Sequence, residues 1–127
     1  MPSFLSPLLR DDAAPYRLEN VRTGTVVAER LLTAFDSPTR RKGLLGRDSL
    51  PESTALIIAP CNAVHTFFMR FAIDVAFVTR EGRVLKIRAA VRPWRMTAAL
   101  RAFAVVELPA GALALTNTVA GDVLAVK

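Results

Sequence analysis

The chain has 127 residues, 52% of them hydrophobic, so it is long enough for one domain with its own core and too apolar to be disordered throughout. Its single cysteine excludes an internal disulfide, and no run approaches the roughly 20 apolar residues that span a bilayer. The net charge of +6, from 17 basic and 11 acidic residues, admits anionic partners, but the basic residues are scattered along the chain, so nucleic-acid binding is the less favoured interpretation.

The first fifteen residues contain three prolines and show no hydrophobic period, which predicts a flexible N-terminal arm over residues 1–15. They lack the basic start and the long apolar stretch of a signal peptide, so we expect a cytoplasmic protein with no membrane attachment. The remaining residues, 16–127, show no internal repeat and no linker, which predicts a single β domain.

Short apolar segments, separated by turns rich in glycine and proline, follow one another along this domain. Strands are predicted over residues 16–21, 25–35, 55–59, 73–78, 85–91, 103–108 and 123–126. Gly82 predicts a hairpin turn after the fourth strand, because glycine readily takes positive φ. Asp36–Pro38 predicts the start of one short helical insertion near 38–45. Repeated strand–helix alternation is missing, so the pattern favours an all-β sandwich or barrel.

Residues 60–78 combine reactive and charged groups with an apolar run. They include the only cysteine, Cys61, and the only histidine, His65. A catalytic Cys61–His65 pair needs a tight loop, since four extended residues span ~13 Å. If residues 65–71 are extended, His65 and Met69 share one face of the strand and Arg70 lies on the other. Two candidate ligands fall short of the three or four of a metal site, so we expect no metal and no cofactor.

Three ordered sequence blocks carry a family signal. They are RKGLLGRDSL (41–50), CNAVHTFFMRFAIDVAF (61–77), and ELPAG (107–111) followed by GD (121–122). In this order they closely resemble the domain of unknown function family 192, a group of uncharacterised prokaryotic proteins, over about residues 25–127. The resemblance implies a small single-domain β protein of jelly-roll-like architecture, and it offers no catalytic residues.

Two acidic residues are open to either a structural or a functional role. Asp74 begins an apolar strand, where a buried carboxylate needs donors. It either fixes a turn through backbone amides or pairs with an arginine such as Arg47 or Arg70 in a ligand pocket. Glu107 lies either half-buried in the same cavity or at the exposed end of an edge strand.

Two further features involve basic residues. Arg40–Lys42, next to a helix start, is interpreted as a solvated helix face rather than a phosphate-binding site. Trp94, between Arg92 and Arg95, either stacks on a base or a sugar or covers the edge of the core.

The favoured function is non-catalytic binding of a small anionic or sugar-like ligand in a pocket near His65–Asp74. The residues expected to line it are Arg47, His65, Met69, Arg70, Asp74, Trp94 and Glu107. One alternative is a small hydrolase that uses Asp74 with His65 or Glu107. A second alternative, association with nucleic acid, depends on the charge alone. The sequence leaves open whether the protein is an enzyme and what its oligomeric state is.

Overall fold

The computed structural model describes residues 3–11 and 14–127. Within these residues the chain forms ten strands and three short helices. The strands are β1 (Leu18–Asn20), β2 (Thr25–Ala28), β3 (Arg30–Ala34), β4 (Thr54–Ile58), β5 (Ala63–His65), β6 (Ile73–Val78), β7 (Val84–Val91), β8 (Met96–Ala98), β9 (Ala104–Pro109) and β10 (Leu124–Val126). The helices are α1 (Ser6–Arg10), α2 (Ser37–Lys42) and α3 (Ala112–Leu115). The predicted all-β class is confirmed.

A five-stranded sheet with the order β3-β4-β9-β6-β7 forms the centre of the fold. Its β3 and β4 run parallel, whereas the other neighbouring strands are antiparallel. A three-stranded sheet, β10-β1-β2, and a two-stranded sheet, β5-β8, accompany it. No sheet within the described residues closes into a barrel, so the architecture is the sandwich form of the prediction.

Hydrophobic cores lie on both faces of the central sheet. The first core joins the central sheet to the three-stranded sheet, and it includes Leu18, Ala76, Val106 and Leu124. The second core lies on the opposite face, where the segment after α2 and the two-stranded sheet cover the central strands; it includes Leu44, Leu50, Val64, Val75 and Phe77. Burial of this apolar surface is the main favourable contribution to folding.

Two local predictions from the sequence are confirmed. Asp36 caps α2, because its Oδ1 accepts a hydrogen bond from the Thr39 amide at 2.8 Å, and Pro38 occupies the first turn. The turn between β6 and β7 contains Gly82 at φ +88°. A Cβ at this position would lie 2.2 Å from the Leu124 carbonyl oxygen, so the turn requires glycine for space as well as for conformation.

The described part of the predicted N-terminal arm packs against the domain. In the described part, α1 forms, and Leu5 and Leu8 are buried in the first core. These contacts tie residues 3–11 to the domain, because apolar burial offsets the entropy of ordering a short segment. Positions 1, 2, 12 and 13 of the predicted arm lie outside the described residues.

Residues 65–71 do not take the extended form that was considered for them from the sequence. β5 ends at His65, and the chain then turns, with the Met69 amide donating to the Thr66 carbonyl oxygen at 3.2 Å. Phe68 takes φ +65°, in the left-handed region. The turn buries Met69 and leaves Phe68 72% exposed, which is not the alternation of a strand.

Residues 92–102, which connect two of the predicted strands, contain the short strand β8. It pairs antiparallel with β5, and His65 lies opposite Met96. The two-stranded sheet covers the second core through Val64. This arrangement brings β5 close to the central sheet and positions the site described next.

Candidate functional site

A cavity of about 80 Å³ lies between α2, β5 and β9. It is lined by residues 40–45, Ile58, Cys61, 63–65, Met69 and Glu107. We call it the Glu107 cavity. A volume of this order accommodates a few water molecules or one small chemical group.

Glu107 in β9 forms the buried wall of this cavity. It is only 3% exposed, and none of the described residues donates a hydrogen bond to its carboxyl group or forms an ion pair with it. Burial raises the pKa of Glu107 to about 7, because desolvation disfavours the charged form. Near neutral pH the carboxyl group is therefore divided between a form that donates a hydrogen bond and one that only accepts.

The strand register determines the face to which Glu107 points. Glu107 lies opposite Leu56 in β4 and opposite Val75 in β6. Both of these partners belong to the second core, on the face that α2 and β5 cover. Because side chains alternate between the two faces of a sheet, Glu107 faces the cavity while Val106 and Leu108 enter the first core.

Cys61 and His65 line the same cavity. The Cys61 thiol donates a hydrogen bond to the Ala63 carbonyl oxygen at 3.1 Å. Burial raises the pKa of the Cys61 thiol, and the nearby Glu107 charge adds a smaller effect in the same direction. The His65 ring is stacked on Phe67, with ring centroids 5.0 Å apart. The two side chains thus line one cavity, but they do not form the hydrogen-bonded pair that an activated cysteine requires.

Positive charge borders the cavity at the end of α2. Arg40, Arg41 and Lys42 form the last turn of this helix, where cations interact favourably with the carbonyl end. Arg40 donates to the Phe35 carbonyl oxygen at 3.0 Å. Within the described residues, Arg41 and Lys42 have neither a hydrogen bond nor an ion pair through their side chains. These two cations are available to an anionic group at the cavity entrance.

Asp74 lies on the other face of the central sheet. It is 0% exposed and stands one position away from Val75, the residue opposite Glu107, so the two carboxyl groups point to opposite faces. The predicted pocket role of Asp74 does not fit this geometry. The same is true of the hydrolase that pairs Asp74 with His65 or Glu107, because the sheet separates the groups that would have to cooperate.

The contacts of Asp74 are made with the main chain. Its Oδ1 accepts a hydrogen bond from the Ala90 amide at 2.8 Å, and its Oδ2 accepts one from the Leu113 amide at 3.0 Å. Ala90 takes φ +49° in β7, and Leu113 lies in the first turn of α3. Asp74 therefore fixes a bend in an edge strand and the start of a helix, which is the structural role considered for it from the sequence.

Two predicted arginines lie outside the Glu107 cavity. Arg47 lines an open groove of about 390 Å³ that shares residues 42–45 with the cavity as a common wall. Arg70 pairs with Asp48 at 2.7 Å on the surface. Because this pair is exposed on both sides, it contributes little to stability.

Trp94 also lies outside the cavity. Its ring packs against Phe67 and Phe68, with centroid distances of 5.8 and 4.6 Å. The predicted set therefore divides into three cavity residues, one groove residue and three residues elsewhere: His65, Met69 and Glu107; Arg47; and Arg70, Asp74 and Trp94.

The sequence did not assign Cys61 or the basic end of α2 to the ligand pocket. The sequence feature that could have indicated the basic end of α2 is Gly43, which directly follows the basic run. Glycine commonly ends a helix, and the last helical turn then lies beside the segment that follows.

The part of the chain that the structure describes contains no group of three or more His, Cys, Asp and Glu side chains able to hold a metal ion. It also contains no helix long and apolar enough to cross a membrane.

Two solved structures share this fold. One is described as a "putative transcription regulator" from Sinorhizobium meliloti 1021; it is 18% identical, has a TM-score of 0.76, and the alignment covers 87% of this chain and 91% of that one. The other is a protein of unknown function from Novosphingobium aromaticivorans DSM 12444; it is 24% identical, with a TM-score of 0.74 and coverage of 87% and 83%. These likenesses concern the fold alone.

No curated protein matches the chain. The model of the family DUF192, described as "Uncharacterized ACR", matches residues 19–126, which include all three sequence blocks noted above. The chain belongs to the DUF192 family.

Proposed function

We propose that the protein is a non-catalytic binding domain whose small ligand enters the Glu107 cavity. The observation that carries the proposal is the carboxyl group of Glu107, which is buried, faces a cavity and has no partner among the described residues. The described residues supply no hydrogen bond to this carboxyl group, and its oxygens are open to the cavity and not sealed in the core. A ligand in the cavity would supply that bond.

The surroundings of Glu107 define the chemistry of the ligand. Hydroxyl groups can donate to a carboxylate or accept from a carboxylic acid, so they suit a group with a pKa of about 7. Arg41 and Lys42 at the entrance attract an anionic group. We therefore assign a small hydroxylated anion, of the class of hydroxy acids, sugar acids or sugar phosphates. Its hydroxyl group meets Glu107, and its anionic group meets the basic end of α2.

Two features favour binding over hydrolysis. Burial raises the pKa of the Cys61 thiol and outweighs the opposite effect of its backbone hydrogen bond with Ala63, so formation of a nucleophilic thiolate is disfavoured. The second buried carboxyl group, Asp74, is fully engaged on the other face of the sheet. Glu107 is thus left without the second carboxylate that a glycosidase mechanism requires.

The test is a calorimetric titration with hydroxy acids, sugar acids and sugar phosphates, alongside neutral sugars and simple carboxylates that lack hydroxyl groups. Wild type is compared with Glu107→Gln and with Glu29→Gln, a matched control in which the same change is made to an exposed glutamate. We expect hydroxylated anions to bind wild type and the Glu29 variant, and to bind the Glu107 variant at least about tenfold more weakly, since a hydrogen bond to a charged group is worth roughly 1.5–3 kcal/mol. Equal affinity for all three proteins, or no binding by any member of the panel, would contradict the proposal.

A further inference from the structure

A second cavity, of about 210 Å³, lies between the end of β7 and β8. Its lining consists of residues 88–92 and 95–97, so it shares no residue with the Glu107 cavity. We call it the arginine cavity, because Arg88, Arg92 and Arg95 all line it. Basic residues that are scattered in the sequence are thus gathered at one place by the fold.

The three arginines of the arginine cavity have no acidic partner among the described residues. Arg88 and Arg92 form no side-chain hydrogen bond or ion pair with any of the described residues. Arg95 reaches only carbonyl oxygens of its own loop, those of Trp94 at 3.3 Å and Pro93 at 3.5 Å. No acidic side chain lines the cavity, and residues 82–106 contain six basic and no acidic residues. Guanidinium groups with unused donors suit an anion that has several acceptor oxygens, such as a phosphate.

One further polar group in the wall of the arginine cavity is unused. Thr97 Oγ1 is the buried side-chain oxygen that has no partner among the described residues. Folded proteins leave few such groups unsatisfied. Because this oxygen is sealed from solvent, the three guanidinium groups remain the donors that an anion in the cavity can reach.

An exposed aromatic ring belongs to the loop that carries two of the three arginines. Trp94, between Arg92 and Arg95 in the chain, is 55% exposed and packs against Phe68 at a centroid distance of 4.6 Å. Buried Thr66 fixes this loop: its hydroxyl donates to the Arg92 carbonyl oxygen at 2.7 Å and accepts from the Arg95 amide at 2.9 Å. The Trp94 amide donates to the Thr66 carbonyl oxygen at 3.0 Å. The ring is therefore presented by a loop that is already ordered.

We infer that the arginine cavity and Trp94 together bind a nucleotide unit, with a phosphate among the three arginines and the base against the exposed tryptophan ring. Proteins that bind single-stranded nucleic acid without sequence preference combine cationic grooves with aromatic rings on which bases stack. A free nucleotide offers the same chemistry. This inference goes beyond the proposed function, since it concerns a site on different elements.

The geometry favours a nucleotide over an anionic lipid surface. A lipid surface meets a protein through an exposed apolar face with cations around it. Exposed apolar side chains, Phe68 and Met96, also stand in this region, but the three arginines line a concavity, which a phosphate can enter and a flat lipid surface cannot. Trp94 belongs to the ordered loop that carries two of these arginines. A phosphate enters such a cavity, and the base attached to it reaches the neighbouring ring.

Trp94 is the only tryptophan of the chain, so its fluorescence reports directly on this site. Wild type is titrated with a single-stranded oligonucleotide, a mononucleotide, inorganic phosphate and phosphatidylserine vesicles. We expect quenching by the oligonucleotide and the mononucleotide, because a base stacks on the ring, and none by inorganic phosphate. An oligonucleotide that binds much more tightly than the mononucleotide identifies nucleic acid as the source of the nucleotide, and equal affinities identify the free nucleotide.

Three variants separate the two parts of the site from general electrostatics, with a fluorescently labelled oligonucleotide as the probe and circular dichroism as the check on folding. Trp94→Ala should weaken binding roughly 5- to 150-fold, the range that corresponds to loss of one stacked base. Arg92→Gln should weaken it and reduce the dependence on salt by about one counterion. Arg30→Gln is the matched control, because Arg30 is exposed on β3, at the opposite edge of the central sheet from β7.

Several outcomes would overturn the inference. One is equal weakening by Arg30→Gln and Arg92→Gln, which would mean that only the net charge matters. Another is binding of the vesicles without binding of either nucleotide probe. Failure of the oligonucleotide and the mononucleotide to bind wild type, or binding unchanged in a folded Trp94→Ala protein, would do the same.

Discussion

Asp74 and Glu107 are buried acidic residues on neighbouring strands, and they differ in whether the fold provides hydrogen-bond donors for their carboxyl groups. Asp74 is 0% exposed, and each of its oxygens accepts a hydrogen bond from a backbone amide. Glu107 is 3% exposed, faces a cavity, and receives no such bond from the described residues. Burial alone therefore does not mark a functional carboxyl group in this protein. The distinguishing property is whether the fold itself supplies the partners.

The largest effect is expected from Asp74→Ala. The change removes the acceptor of the Leu113 amide, whose hydrogen bond is buried, and of the Ala90 amide, whose hydrogen bond is partly buried. Hydrogen bonds to a charged group are worth about 1.5–3 kcal/mol each, so we expect the free energy of unfolding to fall by about 3–5 kcal/mol. Urea denaturation measures this loss, with Glu29→Ala as the control on an exposed acidic residue. A loss below about 1 kcal/mol would show that Asp74 is not structural.

Whereas Asp74 stabilises the fold, the ionised carboxylate of Glu107 should destabilise it, so the free energy of unfolding should depend on pH. The unfolded residue titrates near 4.5 and the folded one near 7, so the folded state holds an extra proton between these values. The contribution of Glu107 to the free energy of unfolding is therefore most favourable below about pH 4.5. It falls as the pH rises to about 7 and levels off above that, and the total change is up to about 3 kcal/mol.

The measurement compares denaturation of wild type and Glu107→Gln across this pH range, because glutamine does not titrate. The difference in unfolding free energy between the two proteins isolates the contribution of Glu107 from those of other groups. A difference that stays constant between pH 4.5 and pH 7 would exclude a raised pKa for this carboxyl group.

The smallest effect is expected at Cys61. Its thiol pKa is raised mainly by burial and to a lesser degree by the charge of Glu107. At pH 8, where Glu107 is largely ionised, Glu107→Gln removes that charge and should speed alkylation of Cys61 a few-fold. Iodoacetamide labelling measures the rate, and the exposed-residue variant Glu29→Gln should react like wild type. Equal rates in all three proteins would mean that Cys61 and Glu107 do not influence each other.

The difference between the two carboxyl groups could not be predicted from the sequence. Both are acidic residues within apolar runs, and one position in strand register decides which face of the sheet a side chain occupies. Asp74 faces the first core because Val75 lies opposite Glu107. That pairing joins segments about thirty residues apart, which local pattern does not determine.

Other parts of the fold were predictable, because local chemistry determines them. Asp36 and Pro38 predict the start of a helix, and the turn at Gly82 requires glycine. The turn at residues 66–69 carries no such signal, since Phe68 takes a left-handed conformation without being glycine or asparagine. His65, Met69 and Glu107, which the sequence suggested for one pocket, do line one cavity, but the turn that brings Met69 to it was not predicted.

The pKa of Glu107, measured in the folded protein, tests the central claim most directly. Carbon-13 NMR of the glutamate side-chain carboxyl groups, titrated from pH 3 to pH 9 and assigned with Glu107→Gln, gives this value. We predict a carboxyl group that titrates near pH 7, well apart from the exposed glutamates. A Glu107 that titrates with the exposed glutamates would mean that its carboxyl group is solvated or already paired, and that the cavity does not hold an unsatisfied binding group.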